Sequence, residues 1–299
     1  MKIKISGVLK KRLEGYGFIL PGFLYVLLIL GYPLVYNFIL SFKNTNVKNF
    51  AKGTSGFVGL SNYVTLFHDV TFQLILKNTF IFTISCLVVQ FTIGFLFALF
   101  FSGKFTLAGP IRGLILVGYM MPMAVTAMLG KNMFGVSEGV INDLLMKIGL
   151  IGNPVEWLLN GKTALIAVIA VNCWVGIPFN MLLLTSGLTG IPEEVYESAS
   201  LDGAGRLQKF IYIIFPLMRS SVLAVLMLGF IYTFKAFDLM FIMTNGGPLN
   251  ATDVLGTYAY SLSFTKYEFS MGSAAAIVLF GCLFIIGLFY LRLISKEED

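Results

Sequence analysis

Six stretches of this chain stay apolar for about 20 residues, the length a helix needs to cross the ~30 Å hydrocarbon layer of a bilayer. They run roughly Phe18–Ser41, Leu76–Phe101, Ile111–Leu129, Ala164–Leu188, Leu217–Met243 and Gly272–Ile294. Inside hydrocarbon each backbone N–H and C=O must be bonded within the protein, so the segments read as helices. Only 12% of the residues are charged and 57% are hydrophobic, against about 25% charged in a typical soluble domain. One large soluble core is excluded, and a polytopic all-α membrane protein is the expected class.

The basic residues orient it. Lys2, Lys4, Lys10, Lys11 and Arg12 precede the first span, Lys104 and Arg112 lie between the second and third, Arg206, Lys209 and Arg219 between the fourth and fifth, and Arg292 and Lys296 follow the sixth. The other side carries Lys43, Lys48, Lys52, Lys131, Lys147, Lys162 and Lys266, spread over longer loops. Density near span ends predicts that both termini are cytoplasmic, and an even number of spans agrees. The net charge of +6 is thereby explained without a nucleic-acid partner, since no basic cluster interleaved with aromatics occurs. The N-terminal apolar run is too long for a signal peptide and lacks a small-x-small cleavage site, so it is read as a retained span. Segment 1–17 is then a cytoplasmic basic N-terminal segment, 18–294 the membrane domain and 295–299 a cytoplasmic tail. Cys86, Cys173 and Cys282 are dispersed among the spans, and His68 is the single histidine. Neither a disulfide framework nor a metal centre is expected, and no catalytic residue is assigned.

One long polar interruption breaks the second half, Ile191–Met218, IPEEVYESASLDGAGRLQKFIYIIFPLM. Pro192 suits a first helical position and Glu193 and Glu194 a helix N-terminus. Gly203 and Gly205 permit a turn, after which Leu207, Phe210, Ile211 and Ile214 recur at helical spacing. The expected element is a helix–glycine–helix elbow that touches something soluble. Its residues resemble the EAA motif of binding-protein-dependent ABC importer permeases, E-A-A-x3-G-x9-I-x-L-P. Glu197, Ser198, Ala199, Gly203, Ile213, Phe215 and Pro216 occupy the motif positions without a gap, with Ser198 for Ala and Phe215 for Leu as departures. Further stretches resemble the sugar-type branch of these permeases: FVGLSNYVTLF from Phe57 to Phe67, Asn78-Thr79, the Gly139–Gly149 segment, Phe237-Asp238, and TNGGP from Thr244 to Pro248.

The resemblance implies a six-helix type I importer permease in a bacterial cell membrane. It implies a second, similar permease as partner, two cytoplasmic ATP-binding subunits that hold ATP and magnesium, and an extracytoplasmic solute-binding protein with a carbohydrate as solute. It makes Glu197, Ser198, Ala199, Asp202 and Gly203 the residues coupling to the ATPase. Glu197 would make a polar contact there, Ala199 would allow close approach, and Gly203 would make the turn. Asn245, Gly246, Gly247 and Pro248 would meet the binding protein, although TNGGP is also ordinary turn chemistry.

The spans themselves suggest a pathway. Asn172, Gly176, Phe179 and Asn180 fall near one face of the fourth span at i, i+4, i+7 and i+8. Amides and an aromatic face suit a polyhydroxylated solute, while the same amides and glycine also serve contacts between membrane helices. In the fifth span Tyr232 and Thr233 precede Lys235 and Asp238, which at i, i+3 can pair on one face. They either line a wet vestibule, or Lys235 reaches for the outer interface. Gly161-Lys162-Thr163 ends like a phosphate-binding loop, but Glu156 stands where its first glycine is needed. Two other classes compete. An ion-coupled secondary transporter or channel needs ionisable groups at mid-membrane, and an intramembrane enzyme needs convergent acid, base or nucleophile groups. The spans offer little of either.

Overall fold

The structure is a computed structural model describing residues 7–103 and 106–298. Of the basic residues that orient the chain, Lys2, Lys4 and Lys104 lie outside the described residues, and Lys10, Lys11, Arg12 and Lys296 are described in backbone alone. Among the described residues there is no strand beyond one isolated bridge between Lys43 and Phe57. Four helices are long and apolar enough to cross a bilayer unbroken: Gly15–Ser41, Val70–Phe101, Gly161–Thr189 and Phe269–Ser295. Two further crossings are bent pairs, Ala108–Met120 with Met123–Met133 at 94°, and Arg206–Leu217 with Arg219–Phe234 at 69°. Counted with the bent pairs, the crossings among the described residues number six.

The ends and breaks have local causes. The second span starts at Val70, six residues ahead of the apolar run, because the Asp69 carboxylate accepts the Thr71 N–H at 2.8 Å and caps it. Asn160 caps the fourth span in the same way at Lys162. The third span, expected to be straight, bends where Met121 precedes Pro122 and leaves the helical region (φ −72°, ψ 134°). Proline removes one helical donor and pushes the residue before it to extended backbone. Two Pro sites are handled more gently. Ahead of Pro33 and Pro216 the helix widens into single π turns, Leu27–Gly31 and Phe210–Ile214, in which the N–H groups of Tyr32 and Phe215 bond back to Leu27 O and Phe210 O.

The fifth span departs most from expectation. Its helix stops at Phe234, Lys235–Phe237 are not helical, and a short helix, Asp238–Met243, follows. Neither Gly nor Pro sits at the break. Phe237 instead turns to meet Phe241 and Tyr260, each with ring centroids 5.1 Å away, while Leu239, Met240 and Met243 enter the core beside Ala127 and Phe134. Burial of those side chains outweighs continuation of the helix. The second and fourth spans pack against each other along most of their length and contribute Phe82, Cys86, Val168 and Val171 to the largest core cluster. Cys86 and Cys173, far apart in sequence, are free thiols buried in the same core cluster between these two spans. No residue in the most apolar window of the first span is buried, as suits a helix facing lipid.

Candidate functional site

A cavity of about 310 Å³ opens between spans two to five. The second span supplies Gln90, the third Tyr119 and Met123 on either side of its bend, the fourth Asn172, Val175, Gly176 and Phe179, and the fifth Gly229, Tyr232 and Thr233. Five of the eight residues read as a pathway, Asn172, Gly176, Phe179, Tyr232 and Thr233, thus share one wall. Gln90 Nε2 donates to Asn172 Oδ1 at 2.7 Å, and both residues are buried. This bond explains Gly176, because a Cβ there would lie 2.1–2.4 Å from the Gln90 amide. Phe179 stacks on Tyr119 at 5.4 Å and meets Tyr232 edge-on at 6.0 Å. The wall therefore offers amide polarity on one side and aromatic faces on the other.

The remaining pathway candidates are placed differently. Asn180 is fully buried, donates to Gly176 O at 2.8 Å and does not line the cavity. Lys235 and Asp238 do not pair across a helical turn, because the helix ends between them. Lys235 Nζ sits 5.1 Å from the centroid of the Tyr232 ring, a cation–π contact at the cavity's edge. Gln90 was missed by sequence reasoning, although a lone amide deep in the second apolar run carries the signal: unpaired polarity in hydrocarbon is costly.

At one end of the bundle stands the elbow. Its first arm is Glu193–Leu201, with Pro192 one place earlier than expected, at the cap rather than inside the helix. Gly203 follows at φ +76° with open space around its Cα. The second arm begins Arg206–Lys209, and Lys209 Nζ donates to Ser200 Oγ at 2.5 Å, tying the arms together. Glu197, Ser198, Asp202 and Gly203 are exposed. Ala199 is buried, on the helix face of Val195 and Tyr196, which pack against Leu188, Ile191 and Met218.

At the other end the TNGGP loop is fastened to the second span. Asn78 Nδ2 donates to the carbonyls of Asn250 at 2.9 Å and Ala251 at 3.2 Å, and Thr79 Oγ1 accepts the Leu255 N–H at 2.9 Å. Thr252 Oγ1 donates to Gly247 O at 2.8 Å and lies 2.6 Å from Thr244 Oγ1. Asn142 does similar work in the segment between the third and fourth spans. It is buried, donates to Val155 O at 3.0 Å and accepts from Trp157 Nε1 at 2.8 Å. The apolar residues Val140, Leu144 and Ile148 of its helix stay exposed, as a helix lying on a bilayer surface does.

Beneath the TNGGP loop, burial pushes the Asp253 carboxyl above its ordinary range, against the Thr257 hydroxyl bond and the Lys266 charge, which pull it down. The folded loop thus favours the protonated acid. That contribution is complete below the ordinary carboxylate range and is lost as pH rises through the raised value. Amide hydrogen exchange in the loop, corrected for intrinsic rate, is expected to be slowest in acid and to quicken as Asp253 ionises. Asp253→Asn should flatten that profile; a flat wild-type profile would refute the assignment.

Helices this apolar, closed around a cavity with amides and rings in its wall, are the parts of a multi-pass membrane permease. Residues 90–297 match the family described as binding-protein-dependent transport system inner membrane component, and the chain belongs to that family. It is 29% identical to the diacetylchitobiose uptake system permease protein DasB of Streptomyces coelicolor, over 96% of this chain and 88% of that one. It is 28% identical to the sulfoquinovosyl glycerol transport system permease protein SmoG of Agrobacterium fabrum, over 93% of this chain and 89% of that one. The fold is that of a type I ABC importer permease: a chain in the crystal structure of a bacterial importer of the acidic polysaccharide alginate matches with a TM-score of 0.83, covering 99% of this chain and all of that one at 22% identity. That transporter has also been solved with a periplasmic protein bound to an alginate pentasaccharide, again at a TM-score of 0.83 and 22% identity, over 99% of this chain and 98% of that one.

Proposed function

We propose that this chain is one of two permease subunits of an ATP-driven carbohydrate importer. Its partners are a second, similar permease, two cytoplasmic subunits that bind ATP and magnesium, and an extracytoplasmic solute-binding protein. The observation that carries the reading is the cavity wall. The Gln90–Asn172 amide pair can turn to solute hydroxyls, and Phe179, Tyr119 and Tyr232 can stack on the apolar face of a sugar ring. The relatives named for diacetylchitobiose and sulfoquinovosyl glycerol uptake support the same solute class. In this reading both termini and the elbow are cytoplasmic. Glu197, Ser198 and Asp202 engage the ATPase, and Gly203 sets the angle at which they do. Closure of the ATPases on nucleotide pulls the elbow and swings the spans from inward- to outward-facing, while Asn245–Pro248 meet the binding protein.

The test is uptake by the reconstituted complex. Asn172→Leu or Tyr232→Ala is expected to shift the half-saturating solute concentration or the rate about tenfold, the scale of one lost hydrogen bond or ring contact. The affinity of the complex for its binding protein should stay put. If neither uptake parameter moved in either variant, the cavity would be packing only. Uptake by this chain with no ATPase present would overturn the importer itself.

A further inference from the structure

Just after TNGGP, a turn closed by the Ala251 N–H to Pro248 O puts φ > 0 at both of its central residues, Leu249 and Asn250, and leucine is a poor fit to that position. Leu249 has φ +48° and is 94% exposed. Its neighbours in the same left-handed region are Asn245 at +48°, Gly246 at +80° and Asn250 at +60°, residue types that tolerate it. Leucine does not, because its Cβ crowds the following carbonyl at a cost of about 1–2 kcal/mol. Nor does exposure repay that cost, since a leucine in water buries nothing. The conformation is imposed by bonds on either side: the Ala251 N–H to Pro248 O at 2.9 Å, the Thr252 N–H to Gly246 O at 3.2 Å, and the two Asn78 bonds beyond. Strain over-determined in this way concentrates where a protein binds something.

The surroundings say where. Asn78 lies eight residues into the second span and Gly161 opens the fourth, and a Cβ on Gly161 would lie 3.0 Å from Ala251 Cβ and 4.0 Å from Pro248 Cγ. The loop therefore rests on the second and fourth spans. Leu159, two residues before Gly161, is also 66% exposed. An exposed leucine thus stands on a loop held against these spans, and a second exposed leucine precedes the head of the fourth span by two residues.

We propose that Leu249 is a docking knob that enters an apolar depression on the extracytoplasmic solute-binding protein, with Leu159 packing at its edge. The proposal rests on the importer reading above and adds a contact residue to it. A rigid apolar anchor in a partner's pocket is the kind of residue that dominates binding at an interface.

The backbone makes the test sharp. Asn suits a left-handed residue better than Leu, so Leu249→Asn relaxes the loop while removing the knob. A structural role predicts that this variant equals or exceeds wild type. A docking role predicts a loss. The complete complex, with partner permease and ATPases, is placed in vesicles, and ATP hydrolysis is followed against the concentration of purified, solute-loaded binding protein. Leu249→Asn should raise the half-saturating concentration about tenfold at an unchanged maximal rate, whereas Leu249→Met should stay within about twofold. A Leu249→Asn curve that overlays a responsive wild type overturns the knob and leaves the importer reading intact. A wild-type complex that does not respond to the binding protein sinks that reading, and the knob with it.

Discussion

Gly203→Val is expected to leave the chain in the membrane at its ordinary level and to abolish solute-stimulated ATP hydrolysis. Gly203 takes φ +76° between the two arms of the elbow, and nothing lies within 4 Å of where its Cβ would stand. The obstacle to a side chain is therefore conformational rather than steric crowding by neighbours. A left-handed residue with a Cβ costs about 1–2 kcal/mol, and β-branching makes valine among the least tolerant choices. The cheapest relief is to rotate the backbone at residue 203, which swings Glu193–Leu201 away from the second arm and stretches the Lys209–Ser200 bond. Glu197, Ser198 and Asp202 ride on that arm or at its end, so a small local rotation displaces all three together. The spans are untouched, and the effect should fall on coupling alone. Gly203→Asn is the control: asparagine accepts φ > 0, and this variant should retain most of the stimulated activity. Normal coupled uptake in Gly203→Val would remove the elbow from the mechanism.

What the sequence made legible follows the range of the forces involved. Apolar runs and elbow depend on neighbours within a turn or two, and both are where periodicity puts them. Asn172, Gly176 and Phe179 could be grouped on one face because a helix repeats every 3.6 residues. The bend at Met121–Pro122 was also written locally, as an X-Pro step, but a hydropathy window averages over it. The break after Phe234 was not written locally at all. It depends on Tyr260, more than twenty residues on, offering its ring to Phe237. The Gln90–Asn172 bond spans 82 positions, and only the anomaly of an amide in an apolar helix hinted that a partner existed. At Ala199 a motif position tells that a small residue stands there, and only the fold shows that it is buried.

Gly176→Ala is expected to cut solute uptake at least tenfold without changing the affinity of the complex for its binding protein, the scale expected when a buried amide pair is broken. The added Cβ would sit 2.1–2.4 Å from the Gln90 amide. Backbone on the tightly packed second and fourth spans cannot retreat, so the Gln90 side chain must leave. It loses the 2.7 Å bond to Asn172 Oδ1, stranding an acceptor in a buried wall, and its displaced amide intrudes on a cavity of about 310 Å³. Two roles for Gln90 then give different second steps. Gln90→Ala in the same chain restores room for the new methyl, as a double-mutant cycle would detect. If the amide touches the passing solute, the double variant regains folding and surface level but not uptake. If Gln90 is only interhelical glue, uptake returns with the packing, since glue between membrane helices is worth about 0.6 kcal/mol on average. The solute-contact role predicts the first outcome, because Gln90 lines the cavity that Tyr119, Phe179 and Tyr232 share.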